Sequence, residues 1–84
     1  MPGAFDWSHG PVLAGTDVTV SVVDAPCRPI RVKLLIRGEV VDSGEITEAP
    51  GTLELSVPAG TEGSGYEIIV SCDGQSDSKS GTVL

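Results

Sequence analysis

Ile30-Arg31-Val32-Lys33-Leu34-Leu35-Ile36-Arg37 alternates at every second residue, with Ile30, Val32, Leu34 and Ile36 on one side and Arg31, Lys33, Leu35 and Arg37 on the other. Successive side chains of an extended chain point to opposite faces, so this stretch reads as a strand with one face in a core and one in water. The same period of two recurs along the chain in segments of five to eight residues, and no 3.6-residue period competes with it. Helices are therefore not expected anywhere.

Upstream, Asp17 to Val22 places Val18, Val20 and Val22 inward and Asp17, Thr19 and Ser21 outward. Downstream, Thr52 to Val57 turns Leu53, Leu55 and Val57 inward and stops at Pro58. Tyr66, Ile68, Val70 and Cys72 face inward in the next strand, with Glu67, Ile69, Ser71 and Asp73 outward. Ala4 to Ser8, carrying Phe5 and Trp7, reads as a first strand with Trp7 in the core, ended by Gly10-Pro11. Glu39 to Ile46 is weaker, bracketed and interrupted by Gly38 and Gly44, and reads as a short edge strand or a loop with open register. Ser78 to Leu84 forms the last strand. Facing Ser78, Ser80, Thr82 and Leu84 inward keeps Lys79 out of the core, at the cost of exposing Val83.

Pro26 and Pro29, Pro50-Gly51, the stretch 59–65 and Asp73-Gly74 punctuate these segments as turns and loops. Asp-Gly is a strong hairpin signal, and here it joins the last two strands. Six or seven short strands without a helix to cover a parallel sheet imply an antiparallel β-sandwich, and 84 residues suffice for one such domain, residues 1–84. The sequence ends inside a predicted strand, as expected of a domain taken from a longer chain.

Charge and composition exclude several roles. With Lys+Arg 5 against Asp+Glu 12 the net charge is -7, which repels nucleic acid. The longest apolar runs, Leu34-Leu35-Ile36 and Ile68-Ile69-Val70, fall far short of the ~20 residues that cross a bilayer as a helix. No secretory leader is visible near Met1, and the absence of Asn removes N-glycosylation.

The strand order, with Pro11-Val12-Leu13-Ala14-Gly15-Thr16-Asp17-Val18-Thr19-Val20 leading into the second strand and Gly65-Tyr66-Glu67-Ile68-Ile69-Val70 opening the sixth, resembles immunoglobulin-like and fibronectin type III-like domains. The antibody Cys–Trp–Cys pattern does not carry the likeness, since 18–22 has no Cys and 30–37 no Trp. Ile30 to Gly38, Leu53 to Pro58, Ser64 to Ser71 and Ser76 to Val83 are similar to the Ig-like modules of Ser/Thr-rich anchored cell-wall and secreted proteins. The resemblance implies a non-catalytic extracellular or envelope module, a structural spacer or protein-interaction domain. Its partners would be another protein or neighbouring domains of the same chain.

The likeness also implies roles for single residues. Tyr66 matches the tyrosine that closes a corner onto the preceding loop. If 30–37 and 66–73 are antiparallel neighbours, as in such sandwiches, the end of one lies beside the start of the other, and Cys27 can meet Cys72. A disulfide closing roughly 45 residues would stabilise by ~4 kcal/mol in the chain-entropy model and would imply an oxidising compartment. Left apart, the pair would be two buried thiols of a reducing cytosol.

On the outward side of the same two strands, matched core faces require paired residue numbers with an even sum, so Arg31, Lys33 and Arg37 are expected to meet Glu67 and Asp73. Leu35 and Ile69, ringed by these charges, form the centre of a candidate protein-binding face made of Arg31, Lys33, Leu35, Arg37, Glu67 and Ile69. The bland alternative is a solvated sheet with two stray aliphatic residues.

Other chemistry finds little support. His9 is the only histidine, and Ser8 beside it points to the opposite face of a strand, which gives no nucleophile–base pair. Two Cys and one His are too few for structural zinc, and the Gly-rich stretch 60–65 lacks the lysine and following helix of a phosphate loop. Neither a cofactor nor a metal is expected. The alternative function is an accessory module of a secreted enzyme that binds carbohydrate through Phe5, Trp7 or Tyr66, or calcium through Glu45 and Glu48 or Asp73 and Asp77.

Overall fold

The computed structural model describes residues 5–84, which form seven strands: β1 (Asp6–His9), β2 (Asp17–Asp24), β3 (Ile30–Ile36), β4 (Glu39–Ile46), β5 (Gly51–Ser56), β6 (Gly65–Cys72) and β7 (Gln75–Thr82). Antiparallel pairing builds one sheet in the order β1-β2-β5 and a second in the order β4-β3-β6-β7. The fold is the all-β sandwich that the period of two implies. Of the expected first strand 4–8, Ala4 lies outside the described residues, and the strand that forms extends to His9.

The core is made of the residues that alternation places inward. Val18, Val20 and Val22 of β2 and Leu55 of β5 oppose Ile30, Val32 and Leu34 of β3 and Ile68 and Val70 of β6 across the sandwich, all at most 1% exposed. Each such aliphatic burial contributes about 1.5–3 kcal/mol. Register follows from this matching: Val32 pairs with Val70 and Leu34 with Ile68, so that both strands present their apolar face to one side.

Two hairpins share one turn geometry. Asp73 and Gly74 have φ of 46° and 76° and connect β6 to β7 across the pair Cys72–Gln75. Arg37 and Gly38, with φ of 56° and 80°, connect β3 to β4 across Ile36–Glu39 in the same way. Left-handed values at both central residues match the right-handed twist of the flanking strands. Arg37 thus belongs to a turn and does not extend the strand, as its place in the alternation suggested.

β4 is an edge strand of the larger sheet over the expected residues 39–46, and at eight residues it is neither short nor a loop. Its alternation is masked by a register shift opposite Leu34 and Leu35, where Leu34 pairs with Asp42 and Leu35 with Val40, leaving Val41 unpaired. Gly44 faces Leu53 of β5 so closely that a Cβ there would lie 2.9 Å from the leucine Cδ2. A larger residue would have made the strand more legible and would have required the Leu53 side chain to shift.

The last strand faces opposite to the expectation that Ser78, Ser80, Thr82 and Leu84 point inward. Ile68 and Val70 pair with Lys79 and Asp77, so these charged residues share the inward side, and Val83 is 2% exposed while Leu84 is 69% exposed. The inward side of β7 meets the rim of the sandwich and not its centre, which lets its charges be served. Trp7 Nε1 donates to Asp77 Oδ2 at 2.9 Å, and Lys79 Nζ, 4.9 Å from the centre of the indole, donates to the Trp7 carbonyl at 2.8 Å.

At the other rim, the Ser56 N–H of β5 donates to Asp42 Oδ2 of β4 at 2.8 Å. Each gap between the sheets is therefore bridged by an aspartate from an edge strand of the larger one. The segment 10–16 closes the end of the sandwich by crossing between sheets. Gly10 N–H bonds Thr19 O, Leu84 N–H bonds Val12 O and Ala14 N–H bonds Leu84 O, after which Gly15 N–H reaches Val57 O. Val12, 3% exposed, fills the space beneath this crossing.

Candidate functional site

β3 and β6 are central in the four-stranded sheet, so the outward residues of both stand on one continuous surface. Register sets them in rows: Arg31 opposite Ser71, Lys33 opposite Ile69, and Leu35 opposite Glu67. The sums are even, as matched core faces require, but the rows pair each charge with a neutral residue. The expected meeting of Arg31, Lys33 and Arg37 with Glu67 and Asp73 does not occur, because the core pairs Val32–Val70 and Leu34–Ile68 fix the offset. Arg31 stands opposite Glu45 on β4, yet no ion pair within 4.0 Å forms among the described residues.

Leu35 and Ile69 are half-buried, and Val40 of β4, paired with Leu35, continues the apolar surface at 54% exposed. Arg31, Lys33, Leu35, Glu67 and Ile69 thus share one face. Arg37 leaves it. The turn folds its guanidinium toward the loop 58–65, where Nε donates to Ser64 Oγ at 2.9 Å and the backbone N–H bonds Gly65 O at 3.1 Å.

Concavities flank this surface at both ends. One, of about 470 Å³, lies between Arg28, Pro29 and Arg31 on one side and Ser71, Gln75 and Ser76 on the other, with Cys72 and the Asp73-Gly74 turn completing it. Alternation could supply Arg31 and Ser71, but Arg28, Gln75 and Ser76 arrive by folding: the loop before β3 brings the first and the hairpin after Cys72 the others. The second concavity, about 320 Å³, is lined by Leu35, Arg37, Gly38, Tyr66, Glu67 and Ser80, among others.

Cys27 and Cys72 are joined by a disulfide, with Cα atoms 5.8 Å apart and 45 residues between them in sequence. It ties the loop before β3 to the end of β6 and holds Arg28 beside Arg31. Arg28 Nη2 also lies 3.5 Å from the Ala49 carbonyl, a weak bond that leaves most of its donors free.

Tyr66, the residue that the resemblance assigns to a corner, stands at the start of β6 and is partly buried. No hydrogen bond from its hydroxyl is found among the described residues. The ring instead lies over Gly81, its cross-strand partner on β7, and edge-on to His9 of β1 at a centroid distance of 5.7 Å. His9 Nδ1 is 2.7 Å from the Gly10 carbonyl, with Trp7 and Tyr66 on either side and Ser8 on the opposite, exposed face.

The aromatic rings considered for sugar binding are packed: Trp7 is 5% exposed, and Phe5 and Tyr66 lie against the core cluster. Of the carboxylates considered for calcium, Asp73 occupies a hairpin turn and Asp77 bonds Trp7, while Glu45 stands on β4 and Glu48 in the loop that follows. Among the described residues no group of three or more His, Cys, Asp or Glu is placed to hold a metal ion, and no helix is long and apolar enough to cross a membrane. Compared with known proteins, the chain matches no family model, no curated protein and no solved structure.

Proposed function

We infer that this chain is a non-catalytic module of the immunoglobulin-like or fibronectin type III-like kind, working outside the cytosol as a protein-interaction domain or spacer. The three-on-four arrangement of antiparallel strands supports the fold-family part of this reading. The disulfide supports an oxidising location, since such bonds persist there and are reduced in the cytosol.

One observation carries the binding role: Leu35, Ile69 and Val40 form an apolar strip on the outer face of the larger sheet, flanked by Arg31 and Lys33 in a protein whose net charge is -7. An apolar centre within a charged rim is the anatomy of a contact surface between proteins. The test is a photo-crosslinking amino acid placed at position 33 or 69 of the full protein in the cell that makes it, with position 19 on the outer face of the other sheet as control. Defined adducts from 33 and 69 but not from 19 are expected. Equal adducts from all three, or none, would overturn the binding role.

A further inference from the structure

We propose that the concavity between Arg28 and Arg31 is a carboxylate-binding subsite, and that the outer face takes an extended peptide with an acidic residue at one end and apolar residues along its length. The proposal rests on the interaction role inferred above and names the class of partner.

The starting point is a pair of arginines without carboxylate partners. The chain has 12 acidic residues for 5 basic ones, so unpaired guanidinium groups are not a consequence of scarcity. Arg31 even has Glu45 directly opposite on β4, and still lines the concavity on the side of Ser71. Arg28 comes to the same space from the loop that the disulfide holds in place. Planar guanidinium forks suit a carboxylate oxygen pair, and the Ser71 and Ser76 hydroxyls and the Gln75 amide add neutral donors around the space. Asp73 is the only acidic residue in the lining.

The geometry of the face sets the rest of the ligand. From the Arg31–Ser71 row, two residues along the strands lead to Ile69, and two more lead to Leu35 and the second concavity. Strands rise ~3.4 Å per residue, so these rows are spaced as alternate side chains of an extended peptide are. A carboxylate at the first position, with apolar side chains at the third and fifth, therefore meets Arg28 and Arg31, then Ile69, then Leu35. A polyanion such as a sulfated glycan is less well matched. Its further charges would lie over a molecule of net charge -7, whereas a lone carboxylate feels mainly the groups within a Debye length of about 8–10 Å.

The test is titration of isotope-labelled protein, disulfide intact, with the acetylated and amidated pentapeptide Glu-Thr-Val-Ser-Leu, its Gln-Thr-Val-Ser-Leu counterpart and a heparin hexasaccharide, followed by amide NMR. The Glu peptide is expected to shift the amides of Arg31, Ser71 and Ser76 together with those of Leu35 and Ile69, and to bind about tenfold tighter than the Gln peptide. Arg28→Gln and Arg31→Gln, both at exposed positions, should keep the spectrum of the fold and abolish that difference. If both peptides bind the Leu35–Ile69 strip equally and the arginine variants change nothing, the subsite is wrong and the binding face stands. If neither peptide perturbs the face, the subsite falls, and the interaction role is left to the crosslinking test. Binding of the hexasaccharide alone, lost in the arginine variants, would overturn the peptide in favour of a sulfated glycan.

Discussion

Trp7 on β1 and Asp77 on β7, 70 residues apart in sequence, are joined by a 2.9 Å hydrogen bond that ties the edge strand of one sheet to the edge strand of the other. The bond satisfies the indole N–H of a side chain only 5% exposed, a group that would otherwise be left without a partner at the rim of the core. It also explains why an edge strand with no apolar residue among Gln75–Thr82 can be held to the sandwich. Asp77 and Lys79 turned toward the rim have a second effect, since inward-pointing charges on an edge strand oppose pairing with a further chain. Strand β7 is therefore guarded against such pairing.

Asp77→Ala should lower stability by about 1–2 kcal/mol, because it leaves the Trp7 N–H unsatisfied. Asp77→Asn keeps an acceptor oxygen and should cost less. Urea unfolding followed by the fluorescence of Trp7, the only tryptophan, reads both the midpoint and the local environment.

Leu34→Ala removes a fully buried side chain from the centre of β3 and should cost about 2–5 kcal/mol. Its neighbour Lys33 is exposed, and Lys33→Ala should change stability by no more than about 0.5 kcal/mol. Chemical denaturation of the two variants checks the facing of the strand directly.

Gly81 lies under the Tyr66 ring: a Cβ at this position would sit 2.7 Å from the phenol oxygen and 2.9 Å from Cε2. Gly81→Ala should therefore destabilise by about 1–3 kcal/mol through overpacking. Combined with Tyr66→Ala the same change should cost much less, and a double-mutant cycle measures the coupling.

Gly74 in the β6–β7 hairpin has φ of 76°, where a side chain is strained. Gly74→Ala should destabilise by about 1 kcal/mol. Gly10, with open space around it and no positive φ, should tolerate alanine, and thermal melts of the pair separate turn strain from a general effect of losing glycine.

Strands with a regular alternation were legible: central β2, β3 and β6 and edge strand β5 put apolar residues at every second position, and the fold buries these residues, Leu53 and Tyr66 only partly. β4 and β7 were not, for different reasons. In β4 the unpaired Val41 breaks the period and Gly44 leaves no side chain to read, so only Ile46 of its eight residues is buried. In β7 the inward positions hold Asp77, Lys79 and Gly81, whose partners Trp7 and Tyr66 lie far away in sequence. The candidate face divides in the same way. Arg31, Lys33, Leu35, Glu67 and Ile69 follow from alternation alone, whereas Arg28, Gln75 and Ser76 reach it through a loop, a hairpin and a disulfide that join distant parts of the chain.

Cys27 and Cys72 lock the loop before β3 to the end of β6, and intact mass with thiol titration on unreduced protein reads this bond. A mass two hydrogens below that of the reduced chain, no titratable thiol, and a loss of about 2–5 kcal/mol of stability when the bond is reduced are expected. Two titratable thiols, with unfolding unchanged by reductant, would contradict the bond.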